Sequence, residues 1–184
     1  MVALNPPVCD FGWPAPDFSL PGTDGCVHTR ASCRGKNGLL VAFICNHCPY
    51  VQAILDRLIR DAVELATHGI GVVAISSNDA SAYPEDAFPE MIRLAERLQF
   101  PFPYLIDETQ DVARAYGAVC TPDFFGFDAT LGLQYRGRLD ASGRHPSPPG
   151  AARELFEAMR TVATTGQGPA AQLPSIGCSL KWKP

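Results

Sequence analysis

The sequence predicts one α/β unit whose mixed central sheet is covered by helices on both faces. Two apolar runs without a charged residue, Leu39 to Ile44 and Ile70 to Ile75, have the composition of strands buried on both sides. Each is followed by a stretch with apolar residues at helical spacing, and a late pair of alternating segments has the form of a hairpin. Strands joined through helices run parallel and strands joined by a tight turn run antiparallel, so the sheet is mixed. A length of 184 residues, 46% of them apolar, suffices for one ordinary core.

Residues 1–36 are rich in Pro, Gly and small polar residues, with turn signals at Pro21-Gly22 and Asp24-Gly25, and read as an extension and hairpin leading into the core. Residues 37–165 carry the regular elements. After the first apolar run, Val51, Ile54, Leu55, Leu58 and Ala62 predict one continuous helix from Pro49 to a glycine cap at His68-Gly69. The second run opens into the polar loop Ser76-Ser77-Asn78-Asp79. A second amphipathic helix is expected over 85–98, a short strand over 104–106 and a brief helix over 112–116 that stops at Gly117. The hairpin joins Asp123–Phe127 to Leu131–Gly137, and a last helix is expected over 151–162. Residues 166–184 are Gly, Pro, Gln and Ala rich before Ile176, Cys178, Leu180 and Trp182, an apolar content that favours a tail packed on the body.

Fifteen Lys and Arg are scattered and the net charge is −4, so no basic stripe marks a nucleic-acid surface. No apolar stretch has the length of a membrane span, and the first residues lack the basic start and apolar run of a signal peptide, which makes the cytoplasm the default location. Seven cysteines, an odd number, fit poorly with a closed disulfide framework, and most thiols in a reducing compartment are inert.

Cys45-Asn46-His47-Cys48 is the exception, because it lies where a buried strand ends and a helix begins. The first cysteine there meets unpaired N–H groups and the positive end of the helix, which favour its thiolate. The second, one turn on, can close onto the first and resolve a mixed disulfide. Cys45 is then the attacking thiol and Cys48 the resolving one. His47 sits where its imidazole can depress the Cys45 thiol, and Pro49 falls where its missing N–H costs little. Both sulfurs are expected to be open to solvent.

The strand, the Cys-Asn-His-Cys-Pro segment and the later Thr121-Pro122 resemble the thioredoxin superfamily. The segments Phe102–Asp107, Ala115-Tyr116-Gly117 and Phe124–Asp128 resemble more narrowly its branch of alkyl hydroperoxide reductase C/thiol-specific antioxidant and TlpA-like proteins, over roughly residues 15–162. The resemblance implies a thioredoxin-like fold, a cis-proline at Pro122 lying with Thr121 against the disulfide, and exchange with a protein or small-molecule thiol or disulfide. It implies no organic cofactor beyond a redox-active disulfide and no resident metal. Two departures matter. Ile44 and Asn46-His47 replace the aromatic residue and the Gly-Pro of thioredoxins, and Ala42 stands where the peroxiredoxin pattern has threonine. Disulfide exchange is therefore favoured over dedicated peroxide reduction, with an antioxidant peroxidase as the alternative.

Other readings compete residue by residue. Cys-x-x-Cys is also half of a zinc site, and Cys45, Cys48, Cys120 and Cys178 would make four thiolates, so a metal carrier or binding module is a third possibility. Cys120 reads either as a buried small apolar residue or as a further redox thiol, with Cys178 as its disulfide partner or as a relay to the motif. Cys9, Cys26 and Cys33 fall in the irregular first part and carry no expected role. His28, His68 and His145 read as solvated, Trp13 and Trp182 as covers for apolar surface, and Asp123 with Arg138 as a core or surface salt bridge ahead of a buried ionisable pair near the site.

Overall fold

The first apolar run forms the central strand of a five-stranded sheet in the computed structural model, which describes residues 3–4, 6–7 and 9–184. In chain order the strands are β1 (Ala3–Leu4), β2 (Ser19–Pro21), β3 (Val27–Thr29), β4 (Gly38–Phe43), β5 (Ile70–Ser76), β6 (Tyr104–Ile106), β7 (Cys120–Thr121), β8 (Asp123–Asp128), β9 (Leu133–Tyr135) and β10 (Gly177–Ser179). The helices are α1 (Arg30–Cys33), α2 (Pro49–Gln52), α3 (Leu55–Thr67), α4 (Phe88–Leu98), α5 (Asp111–Tyr116) and α6 (Glu154–Thr165). The main sheet has the order β6-β5-β4-β8-β9, with β4, β5 and β6 parallel and β8 and β9 antiparallel. It is the mixed α/β sheet that the run of elements implied. No helix among the described residues is long and apolar enough to cross a membrane.

Alternation along β4 divides the core in two. Leu40 and Ala42 join the cluster under α3, α4 and α6, whereas Leu39, Val41 and Phe43 join the one under α5 and the N-terminal segment. Both faces are sealed, which is why the run has no polar residue. Gly126 in β8 lets α6 come close: a Cβ there would stand 2.3 Å from Sδ of Met159.

Several elements differ from the sequence reading. The helix after Pro49 is broken at Ala53-Ile54, because the chain tightens so that the Ile54 N–H donates to Val51 O (3.0 Å), and Nη1 of Arg57 donates to the Ala53 carbonyl (3.0 Å). The stretch expected to start a helix at Glu85 is a 3₁₀ turn over Pro84–Asp86, and α4 begins after it. The last helix starts three residues later than expected, since Pro148-Pro149-Gly150 keep the preceding chain irregular and the Leu155 N–H is taken by Leu139 O (3.1 Å). The second hairpin strand is shorter, with a bulge facing Gly126/Phe127 and a turn tied by the Asp128 carboxylate to Thr130 and Gly132. Asp123 pairs with Arg136 (3.2 Å); Arg138 instead forks onto Glu154.

The tail crosses the body as β10, between β1 and β7. Its register sets Cys178 opposite Thr121 and Ser179 opposite Cys120. Trp13 packs on Tyr116 and Phe127, and Trp182 lies under the Arg114 guanidinium.

Candidate active site

β4 ends at Phe43, Ile44 continues its ladder by donating to Ile75 O, and the next residue is Cys45. Cys48 is the N-cap of α2. Both sulfurs converge on one residue across the core: Sγ of Cys45 is 3.4 Å from Oγ1 of Thr121, and the Cys48 thiol donates to the Thr121 carbonyl at 3.1 Å. The Thr121–Pro122 peptide bond is cis. The structure thus brings Cys45, Cys48, Thr121 and Pro122 together.

The sulfurs are not open to solvent. Cys45 is 1% exposed and Cys48 0%. The tail lies on the Cys48 side of the pair, a placement that no local pattern in the sequence specifies. Ser175 Oγ donates to Pro122 O (2.9 Å), the Leu180 N–H to Val119 O (3.1 Å) and the Lys181 N–H to Asn78 Oδ1 (3.0 Å). Gly177 passes so near that a Cβ on it would lie 2.1 Å from Thr121 O.

The amide donors expected to favour a Cys45 thiolate are already taken. Oδ1 of Asp86 accepts from the backbone N–H of Asn46 (2.8 Å) and of His47 (3.2 Å), while Oδ2 meets Nδ1 of His47 (2.7 Å) and Nδ2 of Asn78 (2.7 Å). The 3₁₀ turn aims this buried carboxylate inward. Asn46 is held at three further points: its Nδ2 donates to Glu85 O, its Oδ1 accepts from Tyr104, and its carbonyl accepts from Gln52. The His47 ring stacks on Tyr83 with centroids 5.2 Å apart, and Nζ of Lys181 in the tail lies 5.6 Å from the centre of the same Tyr83 ring.

Charge in the pair accordingly falls opposite to the sequence expectation. The hydrogen bond to Cys48 pushes the Cys45 thiol up, and burial and the Asp86 carboxylate push it further. Cys48 is pushed down, first by that same hydrogen bond from Cys45 and then by Thr121 and by the backbone and thiol of Cys178, against the cost of burial. A proton lost from the pair leaves its charge on Cys48, although the Thr121 carbonyl works against it.

Cys120 is fully buried, its thiol donates to Pro122 O (3.5 Å), and burial pushes it up. Successive strand residues alternate and directly opposed ones share a face, so Cys120 faces away from Cys178. The Cys120–Cys178 bond is therefore not poised, nor is a site of four thiolates. A different set stands close together: Cys45, His47 and Asp86 each bring one possible metal ligand atom within 4.8 Å of the others, the one such group among the described residues. Both Asp86 oxygens are already engaged by donors. His28 is paired with Asp24, away from the site.

A hollow of about 300 Å³, bordered by Tyr50, Ile54, Pro122, Leu139 and Ile176, opens beside the proline. A larger one of about 700 Å³ lies between α6 and residues 169–173 with no sulfur in its wall, and the smaller is the one next to the chemistry.

Asp86, Asn78, Tyr83 and Tyr104 were not singled out in the sequence. Nothing local marked the carboxylate, because Pro84-Glu85-Asp86 has the form of an ordinary helix start, with Pro first and acidic residues in the first turn.

A search of the curated proteins finds no match. Among solved structures, the chain is similar to an uncharacterized conserved protein from Geobacillus kaustophilus, with 43% identity, TM-score 0.93, and coverage of 100% of this chain and 98% of that one. It is similar to a hypothetical protein from Sinorhizobium meliloti 1021, with 39% identity, TM-score 0.88 and 97% of each chain covered. A putative thiol:disulfide interchange protein DsbE from Chlorobium tepidum shares the fold at 21% identity and TM-score 0.64, over 85% of this chain and 99% of that one. The AhpC/TSA family model matches residues 11–139, the stretch that contains β4, the Cys-x-x-Cys segment and the cis-proline. The chain belongs to the AhpC/TSA family and has the thioredoxin-like fold.

Proposed function

We propose that Cys45 and Cys48 form a redox couple that exchanges disulfides with a protein or small-molecule thiol partner and uses no organic cofactor. The observation that carries this reading is the meeting of both sulfurs on Thr121, one at its hydroxyl and one at its carbonyl. Cys45 attacks and Cys48 resolves. Cys45 first passes its proton to the Cys48 thiolate. The Cys45 thiolate then attacks a partner disulfide, forming a Cys45–partner bond and expelling the other partner sulfur as a thiolate. Cys48 gives its proton to the expelled partner thiolate, attacks the Cys45 sulfur, closes the Cys45–Cys48 disulfide and releases the second partner sulfur as a thiolate. The partner gains two electrons and the pair loses them; with an oxidised pair the steps run in reverse. Cys45 is 1% exposed, so a partner reaches it through a local opening, and the lifting of the tail from β7 is the opening that this reading uses.

Turnover of a disulfide substrate tests the reading. Cys45→Ser abolishes activity, and Cys48→Ser accumulates mixed disulfides. Undiminished disulfide reduction by Cys45→Ser would overturn the proposal. So would a pair that forms no disulfide under oxidant in a protein purified with stoichiometric zinc on Cys45, His47 and Asp86.

A further inference from the structure

The tail sets a third sulfur on the couple. Cys178 is the β-ladder partner of Thr121, and opposed residues of an antiparallel pair project to the same side. That side is marked by the Thr121 hydroxyl, which meets the Cys45 sulfur. Cys178 is buried in the same cluster as Cys45 and Cys48, and its thiol and backbone N–H lie close enough to the Cys48 sulfur to help push that thiol down. The tail is fastened on both sides of it, by Ser175 to Pro122 and by Leu180 to Val119. Gly177 supplies the close approach, since any side chain there would strike the Thr121 carbonyl. Cys120, the other candidate in the two unusual segments, faces the opposite side.

We propose that Cys178 is a third redox thiol of the site and that it exchanges within the chain with the Cys45–Cys48 disulfide to form a Cys48–Cys178 disulfide. The proposal rests on the redox reading of Cys45 and Cys48. The Cys178 thiolate attacks the Cys48 sulfur, the Cys45–Cys48 bond breaks as the Cys48–Cys178 bond forms, and Cys45 leaves as a thiolate that takes up the proton Cys178 gave up. No electrons enter or leave. The product holds the tail covalently over the couple, so the oxidised chain is closed to a partner until an incoming thiol cuts the bond.

Full-length protein, oxidised with oxidised glutathione, alkylated and digested without reductant, tests this by mass spectrometry of the linked peptides. The wild type yields Cys48–Cys178 peptides alongside Cys45–Cys48 peptides. In Cys45→Ser, and in Cys45→Ala as a second variant in case the first folds poorly, Cys48–Cys178 becomes the main link. Cys178→Ser loses it and retains Cys45–Cys48. A wild type that forms Cys45–Cys48 while both Cys45 variants leave Cys48 and Cys178 unlinked overturns the third thiol and leaves the couple standing. A wild type that links Cys48 to neither partner overturns both.

Discussion

The Asp86 carboxylate grips His47 twice, at the ring Nδ1 (2.7 Å) and at the backbone N–H (3.2 Å). That grip ties the imidazole to a carboxylate and sets a negative charge beside the Cys45 sulfur. Asp86→Asn keeps the shape and one acceptor oxygen but removes the charge. The ultraviolet absorbance of the thiolates, followed against pH in the reduced protein, should then have its midpoint lower by about 1 pH unit, the usual effect of deleting a nearby like charge. A midpoint that stays put or rises would show that Asp86 does not hold the Cys45 thiol up.

Gly177→Ala pushes a methyl group into the Thr121 carbonyl and the Pro122 nitrogen, rigid backbone that cannot step aside. The tail, not the core, should yield. Alkylation of the reduced pair by iodoacetamide should speed up by about tenfold, the factor expected if roughly 1.4 kcal/mol is removed from the closed state. Equal rates in variant and wild type would mean that the cover is not what protects the sulfurs.

Burial pushes the Asp123 carboxyl up from 3.8 to about 6, with the Arg136 guanidinium offsetting only part of the cost. Between those values the folded chain keeps a proton that the unfolded chain has lost, so this group's contribution is fullest below about pH 4 and is lost as pH rises through about 6. The amount is about 3 kcal/mol as an upper order of magnitude. Asp123→Asn removes it. In urea unfolding, the stability of wild type relative to that variant should fall from pH 4 to pH 6. A constant difference across that range would contradict the assignment.

Peroxide should be a poor oxidant of this site. Cys45 is held protonated, and Ala42 offers no hydroxyl where the peroxiredoxin pattern has threonine. Hydrogen peroxide should form the Cys45–Cys48 disulfide more slowly than an equal concentration of oxidised glutathione, read by quenched alkylation. Oxidation by peroxide faster by orders of magnitude would instead favour a peroxidase.

Strands β4 and β5 were legible because burial on both faces demands uninterrupted apolar sequence, and their exit into Cys45 made the motif legible with them. The zigzag of Phe124, Phe125 and Phe127 announced β8 for a related reason. Asp86 escaped because its significance lies about forty positions from the residues it binds, and its own neighbourhood resembles the start of a helix. The break at Ala53-Ile54 depends on an arginine reaching back to a carbonyl, which leaves the apolar spacing unchanged. The closed state of the sulfurs was invisible for a deeper reason. Whether residues 175–181 lie on β7 is decided by backbone pairing and by one missing side chain at Gly177, and neither leaves a periodic signature.

The tail is attached to β7 through main-chain groups: its Leu180 amide binds the Val119 carbonyl, and its ladder runs past Thr121. Peptide groups are the same in every protein, so this rail would accept any extended polypeptide with equal indifference. Selection among visitors must therefore come from what they carry to either side of the rail: a small residue where Gly177 passes, a sulfur where Cys178 sits and a cation for Tyr83. The tail already offers all three, tethered and at high effective concentration, and a visitor must outcompete it.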